Sequence, residues 1–130
     1  MISEPLRPQP DPNTLTQLHR HQSEVALAAV VWHELWYGCR RLPSSERRNR
    51  IEPYLTQVVG ATIPVLPYDE TAAHWHGRER ARLVTLGRTP PFADGQIAAI
   101  AHTHQLILVT FNRADYADFS DLMIEDWQVR

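Results

Sequence analysis

Residues 91–116 contain the pattern that most restricts how this chain folds, an apolar helix followed closely by an apolar strand. Pro91 precedes the first turn of the predicted helix, Asp94 lies inside that turn, and apolar residues recur behind it at helical spacing. Residues 106–109 form an apolar run without alternation, which predicts a strand buried on both faces of a parallel sheet. Because parallel sheets carry their chemistry at the strand ends, we expect Asp94 and Asp115 to face one point.

The rest of the chain alternates apolar runs with helical patterns. After a proline-rich opening, further strands are predicted at residues 25–29, 63–66 and 122–124. Helices are predicted at residues 11–22, around 32–38, at 45–59 and at 69–87, with Asp11 or Asn13 and Asp69 as amino-terminal caps. Pro53 is expected to kink or divide the third of these helices, Gly60 to close it, and Gly87 to end the fourth. This order predicts a single α/β domain over residues 1–130, with a mainly parallel sheet.

The composition is that of a soluble globular protein. Apolar residues make up 43% of the 130, and no window approaches the roughly 18 consecutive apolar residues that a membrane span requires. Cys39 is the single cysteine, so no internal disulfide forms, and the chain does not begin with a charged-then-apolar leader. We therefore expect a cytoplasmic protein with no membrane partner.

All thirteen basic residues are arginine, and the formal net charge is −2. Two interpretations of this arginine preference stay open: a bias in genomic composition, and the use of guanidinium groups to bind phosphate. The arginines cluster only loosely, at residues 40–50 and 78–82, and five acids occupy the last sixteen residues. A solvated helix face explains most of this pattern, so charge alone does not predict a nucleic-acid partner.

Three acids are candidates for an all-oxygen metal site: Glu34, Asp94 and Asp115. Each is predicted near a helix start or a strand end, and Mg²⁺ or Mn²⁺ prefers carboxylate oxygens while keeping several waters. Each acid also has an ordinary explanation. Asp94 suits a helix amino terminus, Asp115 suits a turn, and Glu34 suits a solvated helix position. Only their combined placement favours a metal site.

The histidines do not predict a zinc site. His74 and His76 are two residues apart on one helix and so point to different sides, as do His102 and His104 if their helix extends that far. No cysteine pair supports them. The sequence also lacks a P-loop, a GxSxG elbow and a GxGxxG fingerprint.

Three segments resemble a known family. Residues 93–101 read Ala-Asp-Gly-Gln-Ile-Ala-Ala-Ile-Ala, residues 108–116 read Leu-Val-Thr-Phe-Asn-Arg-Ala-Asp-Tyr, and residues 31–38 place Glu34 before Leu35 and Gly38. Together they are similar to PIN-domain ribonucleases, and closest to the VapC and FitB-like toxins of type II toxin-antitoxin pairs. The resemblance covers nearly the whole chain.

The resemblance implies a PIN-like three-layer α/β/α sandwich and a Mg²⁺-dependent endoribonuclease that acts on RNA. By position, Glu34, Asp94 and Asp115 would be the catalytic, metal-binding acids, with Thr110 and Asn112 supporting them. Mn²⁺ is the second candidate ion. The implied partner is a VapB-like antitoxin, in a homodimer or a toxin-antitoxin hetero-oligomer.

The sequence departs from the family pattern at several positions. Ala28 and Val31 replace hydroxyl residues that are common before the family's glutamate, and Phe111 stands where arginine is frequent. The family's first catalytic aspartate, in a DTN-like motif that ends a central first strand, is absent from the 130 residues. This departure leaves open a start codon placed too far downstream, and it predicts unpaired edges on the strands at residues 25–29 and 106–109. The alternatives are a truncated or non-catalytic PIN-like module that binds an antitoxin or RNA, and an unrelated α/β nucleotide-binding domain.

The helical region before Ile63 carries more large apolar side chains than a small domain readily covers. We expect part of this surface to form a groove for an antitoxin helix or a second subunit. The residues concerned are Trp32, Trp36, Tyr37, Leu55, Val58 and Val59.

Overall fold

The computed structural model describes residues 1–2 and 4–128. Its α-helices are α1 Pro12–Arg20, α2 Ala29–Arg40, α3 Glu46–Pro53, α4 Gly60–Thr62, α5 Glu70–Thr85, α6 Phe92–Thr103 and α7 Arg113–Tyr116. Its strands are β1 Leu27–Ala28, β2 Val65–Leu66, β3 Leu108–Val109 and β4 Ile124–Glu125. A 3₁₀ turn at Glu4–Leu6 and a π-helical segment at Tyr54–Val59 complete the regular structure of the described residues.

The strands form two separate parallel pairs in the described residues. β1 pairs with β2, and β3 pairs with β4. A cavity of about 650 Å³ lies between the two pairs and is bordered by residues 25–28 and 105–112. The inner edges of β1 and β3 therefore face each other across a gap.

Each strand is shorter than the sequence predicts, with two residues where three to five were expected. Every strand has only one paired neighbour among the described residues, so few ladder hydrogen bonds hold it extended. β2 is further limited because Pro64 and Pro67 flank it and neither has an N–H to donate.

The prediction that residues 106–109 are buried on both faces is wrong. Leu106 and Ile107 are 36% and 48% exposed, and only the next two residues are half-buried. The cause is the cavity beside β3, which leaves one side of this segment without a packing partner.

Helix boundaries follow local capping chemistry closely. Asp11 accepts a hydrogen bond from Thr14 N–H at 2.9 Å, and Asp69 accepts one from Ala72 N–H at 2.9 Å, so both are caps as predicted. Gly87 has a φ of +75° after the end of α5, which confirms it as the residue that ends this helix.

The segment predicted as one helix at residues 45–59 differs in detail. α3 ends at Pro53, as expected for a residue without an N–H, and the chain continues in π-helical form to Val59. Gly60 does not close the helix, because its φ of −65° is helical and it begins α4. A Cβ there would lie 3.2 Å from the Trp32 ring and 2.9 Å from Leu55 O, so close packing explains this glycine.

The centre of the fold is the packing of α5 against α6. α6 buries Ala98, Ala99 and Ile100, and α5 buries Ala72 and Leu83. Small side chains on α6 let its neighbours approach closely. Within the described part of the chain, no helix is long and apolar enough to cross a membrane.

The aromatic surface before Ile63 is only partly exposed. Leu55 and Val59 are buried, and Trp32 and Trp36 are half-buried with their rings edge-to-face at 5.7 Å. Two members of the predicted groove are exposed, namely Tyr37 at 59% and Val58 at 49%.

His76 and Gly95 form a close contact between α5 and α6. His76 is buried, and its Nδ1 shares a hydrogen bond of 2.8 Å with the Tyr68 hydroxyl. Its ring also packs against Phe92 and covers the position that a Cβ of Gly95 would occupy. Burial lowers the pKa of His76, and the charge of Arg80 lowers it further, which favours a neutral ring.

We expect Gly95→Ala to destabilise the protein by about 1–3 kcal/mol, because the added methyl group would displace the buried His76 ring. Gly77→Ala is the matched control. A Cβ at this exposed α5 position meets no atom within 4 Å, so the change should stabilise the protein by about 0.5–1 kcal/mol. Urea unfolding of both variants measures the difference, and a stabilising Gly95→Ala would contradict this packing.

Candidate active site

The turn after β3 is built by hydrogen bonds that fix Asp115. Thr110 Oγ1 accepts a hydrogen bond from Asn112 N–H at 3.1 Å. Asn112 O accepts one from Asp115 N–H at 3.0 Å, which begins the short helix α7. Asp115 is thereby held on the surface at the carboxyl end of the strand.

The second acid comes from the first turn of α6. Asp94 is half-buried, and the Tyr116 hydroxyl donates a hydrogen bond to its Oδ1 at 3.3 Å. Tyr116 is 6% exposed and directly follows Asp115 in the chain. One buried tyrosine therefore links the α6 acid to the turn that carries the other acid.

The two acids interact electrostatically. Burial raises the pKa of Asp94, and the negative charge of Asp115 raises it further, whereas the hydrogen bond from Tyr116 lowers it. Burial also raises the pKa of Tyr116, with the charge of Asp94 as the next contribution. The tyrosine therefore stays protonated and serves as a hydrogen-bond donor.

Glu34 is not joined to the other two acids by any hydrogen bond or ion pair of the described residues. It is exposed on α2. In the described ranges, no group of three or more histidine, cysteine, aspartate or glutamate side chains is arranged to hold a metal ion. The structure brings together four of the predicted site residues: Asp94, Asp115, Thr110 and Asn112. A joint role of Glu34 with the two aspartates in binding a metal stays a prediction.

The donor set that does assemble fits a hard divalent cation. Mg²⁺ is commonly held in proteins by one or two carboxylates while water and substrate phosphate complete its shell. Asp94 and Asp115 supply two carboxylates, and the charge of Asp115 raises the cost of charge on Asp94 unless a cation is present. Both donors are carboxylates, and carboxylate oxygens suit Mg²⁺ or Mn²⁺.

Two contacts in this region were not predicted from the sequence. The first is the hydrogen bond from Tyr116 to Asp94, and its only local signal is an aromatic residue directly after Asp115. The second is a clamp at Glu79, which accepts hydrogen bonds from Arg82 at 2.9 and 3.0 Å and from Ser120 N–H at 2.6 Å. The Arg82 hydrogen bond is the largest cause lowering the pKa of Glu79 to about 2. The sequence signal for this contact is the i, i+3 spacing of Glu79 and Arg82, which places the two side chains next to each other on a helix.

Several arginines are already engaged by acids of this chain. Arg82 and Arg88 both bind Asp118, through its main-chain oxygen and its carboxylate respectively. Arg40 pairs with Glu52 at 2.7 Å. The arginine clusters of the sequence are thus partly structural.

Comparison with known proteins gives the context of this site. The PIN domain family model matches residues 1–121. The chain is 34% identical over 128 residues to toxin FitB of Neisseria gonorrhoeae, covering 92% of each chain. It is 33% identical over 108 residues to the tRNA(fMet)-specific endonuclease VapC of Shigella flexneri, covering 82% of this chain and 78% of that protein.

A solved structure agrees with these relatives. The crystal structure of FitAcB from Neisseria gonorrhoeae superposes with a TM-score of 0.85 at 31% identity, covering 95% of this chain and 90% of that one. The predicted three-layer PIN-like fold is confirmed by these matches. The chain belongs to the PIN-domain family.

Proposed function

We propose that this chain is a metal-dependent endoribonuclease that acts as the toxin of a type II toxin-antitoxin pair. The observation that carries the proposal is the pair of acids, Asp94 and Asp115, in which Tyr116 hydrogen-bonds Asp94 and the charge of Asp115 acts on Asp94. Membership of the PIN-domain family and relatives named as a toxin and as a tRNA endonuclease support it.

Within this proposal, Asp94 and Asp115 hold the divalent cation, Glu34 is the third acid, and Thr110 and Asn112 fix the turn beneath them. A bound Mg²⁺, or Mn²⁺ in its place, would supply charge stabilisation at an RNA phosphate and a more acidic water. The residues of the protein itself position the carboxylates that would bind the cation. Tyr116 orients Asp94 through its hydroxyl, and the buried setting of that carboxylate makes an unneutralised charge costly.

The direct test is Mg²⁺-dependent cleavage of RNA by the wild-type chain and by single variants. Asp94→Asn and Asp115→Asn should each reduce kcat/KM by about 100-fold or more, because each removes an anionic ligand. Glu34→Gln should also reduce it if Glu34 completes the site. Asp121→Asn is the control, since this exposed acid lies outside the site and its left-handed φ of 55° suits asparagine.

The alternative of a non-catalytic PIN-like module predicts another outcome of the same experiment. RNA binding without cleavage at any Mg²⁺ or Mn²⁺ concentration would favour the module and reject the enzyme. Cleavage that survives both Asp94→Asn and Asp115→Asn would show that the reaction uses other residues.

Tyr116→Phe tests the positioning of Asp94. The hydroxyl lowers the pKa of Asp94, so its loss should raise that pKa and leave more of the carboxyl protonated at acidic pH. We expect the acidic limb of the pH–activity profile to move to higher pH and the Mg²⁺ affinity to fall by about 10- to 100-fold. Tyr37→Phe, at an exposed position, is the control. An unchanged acidic limb in Tyr116→Phe would contradict the role of this hydrogen bond.

We also infer an assembly partner, either a second copy of the chain or a VapB-like antitoxin. Tyr37 and Val58 expose large apolar side chains in the same helical region as the half-buried rings of Trp32 and Trp36, so apolar surface in this region is open to a partner.

Sedimentation velocity tests the second copy directly. We expect the wild-type chain to self-associate, and Tyr37→Arg or Val58→Arg to weaken the association by at least about tenfold, because a charge would be buried at the contact. Val84→Arg is the control, because Val84 is similarly exposed, at 53%, on α5. Equal effects of all three substitutions would show that this surface is not the contact.

A further inference from the structure

The segment that follows α7 is tied to α5 by a buried carboxylate. Glu79, on α5, is 7% exposed, and its Oε1 accepts a hydrogen bond of 2.6 Å from Ser120 N–H. Arg82 donates to both carboxylate oxygens of Glu79 and also to the main-chain oxygen of Asp118, at 2.7 Å. Two points of the segment are therefore bound by neighbouring side chains of α5.

This attachment comes directly after the residues of the candidate active site. Asp115 and Tyr116 end α7, which is only four residues long. Tyr116 O accepts a hydrogen bond from Phe119 N–H at 3.2 Å, so a single turn separates Tyr116 from Ser120. One helical turn is not stable by itself in water, so α7 depends on the contacts at its two ends. The turn after β3 holds its beginning, and the bond to Glu79 holds the segment beyond its end.

Apolar packing alone does not set the position of this segment. Tyr116 and Phe119 are buried in one cluster with Leu83 of α5 and Ala98 of α6. Burial of apolar surface is non-directional, so it stabilises the contact without selecting a position for the Tyr116 hydroxyl. Hydrogen bonds are restricted in distance and angle, and those to a carboxylate are among the shorter and stronger ones. The clamp at Glu79 therefore supplies the directional contact.

The carboxyl of Glu79 is suited to this role because it stays ionised. The hydrogen bond from Arg82 is the largest cause that lowers its pKa to about 2, and the bond from Ser120 N–H lowers the pKa further, although burial opposes both. An ionised carboxylate only accepts hydrogen bonds. Glu79 thus remains an acceptor for Ser120 at neutral and mildly acidic pH.

We propose that Glu79 is a positioning residue for the candidate active site and acts through Tyr116. By holding Ser120, it fixes the end of α7 against α5 and keeps the Tyr116 hydroxyl within hydrogen-bond distance of Asp94. Its effect on metal binding rests on the function proposed above, whereas its effect on the structure of the segment does not.

Two conservative variants of the full chain separate reach from charge. Glu79→Asp keeps the charge but is one methylene shorter, so its carboxylate should not reach Ser120 N–H. Glu79→Gln loses the charge but keeps an accepting oxygen at the original reach. Hydrogen exchange measured by NMR should quicken by about tenfold or more at the Phe119 and Ser120 amides in Glu79→Asp, and by much less in Glu79→Gln. The Ala72 amide, bound to Asp69 in the first turn of α5, should not change in either variant.

Mg²⁺ affinity, measured by isothermal titration calorimetry, tests the connection to the site. Glu79→Asp should weaken Mg²⁺ binding by about tenfold, and Glu79→Gln should weaken it less. The same Glu79→Asp change should have a clearly smaller effect in a Tyr116→Phe background, because the hydroxyl that Glu79 positions is already absent. Glu52→Asp is the matched control, since it shortens a carboxylate that pairs with Arg40 between α3 and α2.

Several results would overturn the proposal. Unchanged exchange at Ser120 in Glu79→Asp, faster exchange at Ala72 as well, or equal losses in the two Glu79 variants would show that the carboxylate does not act through its bond to Ser120. An equal effect of Glu79→Asp on Mg²⁺ affinity with and without the Tyr116 hydroxyl would remove Tyr116 as the intermediary. If the wild-type chain bound no Mg²⁺, the proposed function would fail, and the exchange pattern would still decide whether Glu79 holds the segment.

Discussion

The fold depends on how closely α6 is packed by its neighbours. Its buried face consists mainly of small residues, including Gly95, Ala98 and Ala99, so a side chain of α5, the His76 ring, packs directly against Gly95. That closeness fixes the first turn of α6, where Asp94 lies. The position of Asp94, and with it the chemistry of the site, thus depends on packing between uncharged groups of the two helices.

The candidate site combines two segments with different sources of rigidity. Asp94 is rigid because its helix is buried, whereas Asp115 is rigid because Thr110 and Asn112 form a hydrogen-bonded turn. Tyr116 connects the two segments through a bond between residues 22 apart in the chain. Asp115 can therefore influence the charge of Asp94 while both acids remain exposed enough to meet a cation or a phosphate.

Local chemistry was predictable from the sequence, and contacts between distant segments were less so. Asp69 and Gly87 were identified correctly because a cap depends on only a few neighbouring residues. The prediction that Gly60 ends a helix is wrong, because this glycine instead leaves room for the Trp32 ring. No local sequence pattern encodes that contact. The lengths of the strands and the exposure of residues 106–109 depend on which strands are adjacent, which composition does not reveal.

The prolines beside β2 have a consequence for association between molecules. Any strand edge that is long, flat and open can recruit another chain and begin an aggregate. The outer edge of β2 offers the N–H of Val65 between Pro64 and Pro67, neither of which can donate a hydrogen bond. This edge is therefore a poor template for an added chain, and the β1–β2 pair is protected on its outer side against growth into a fibre.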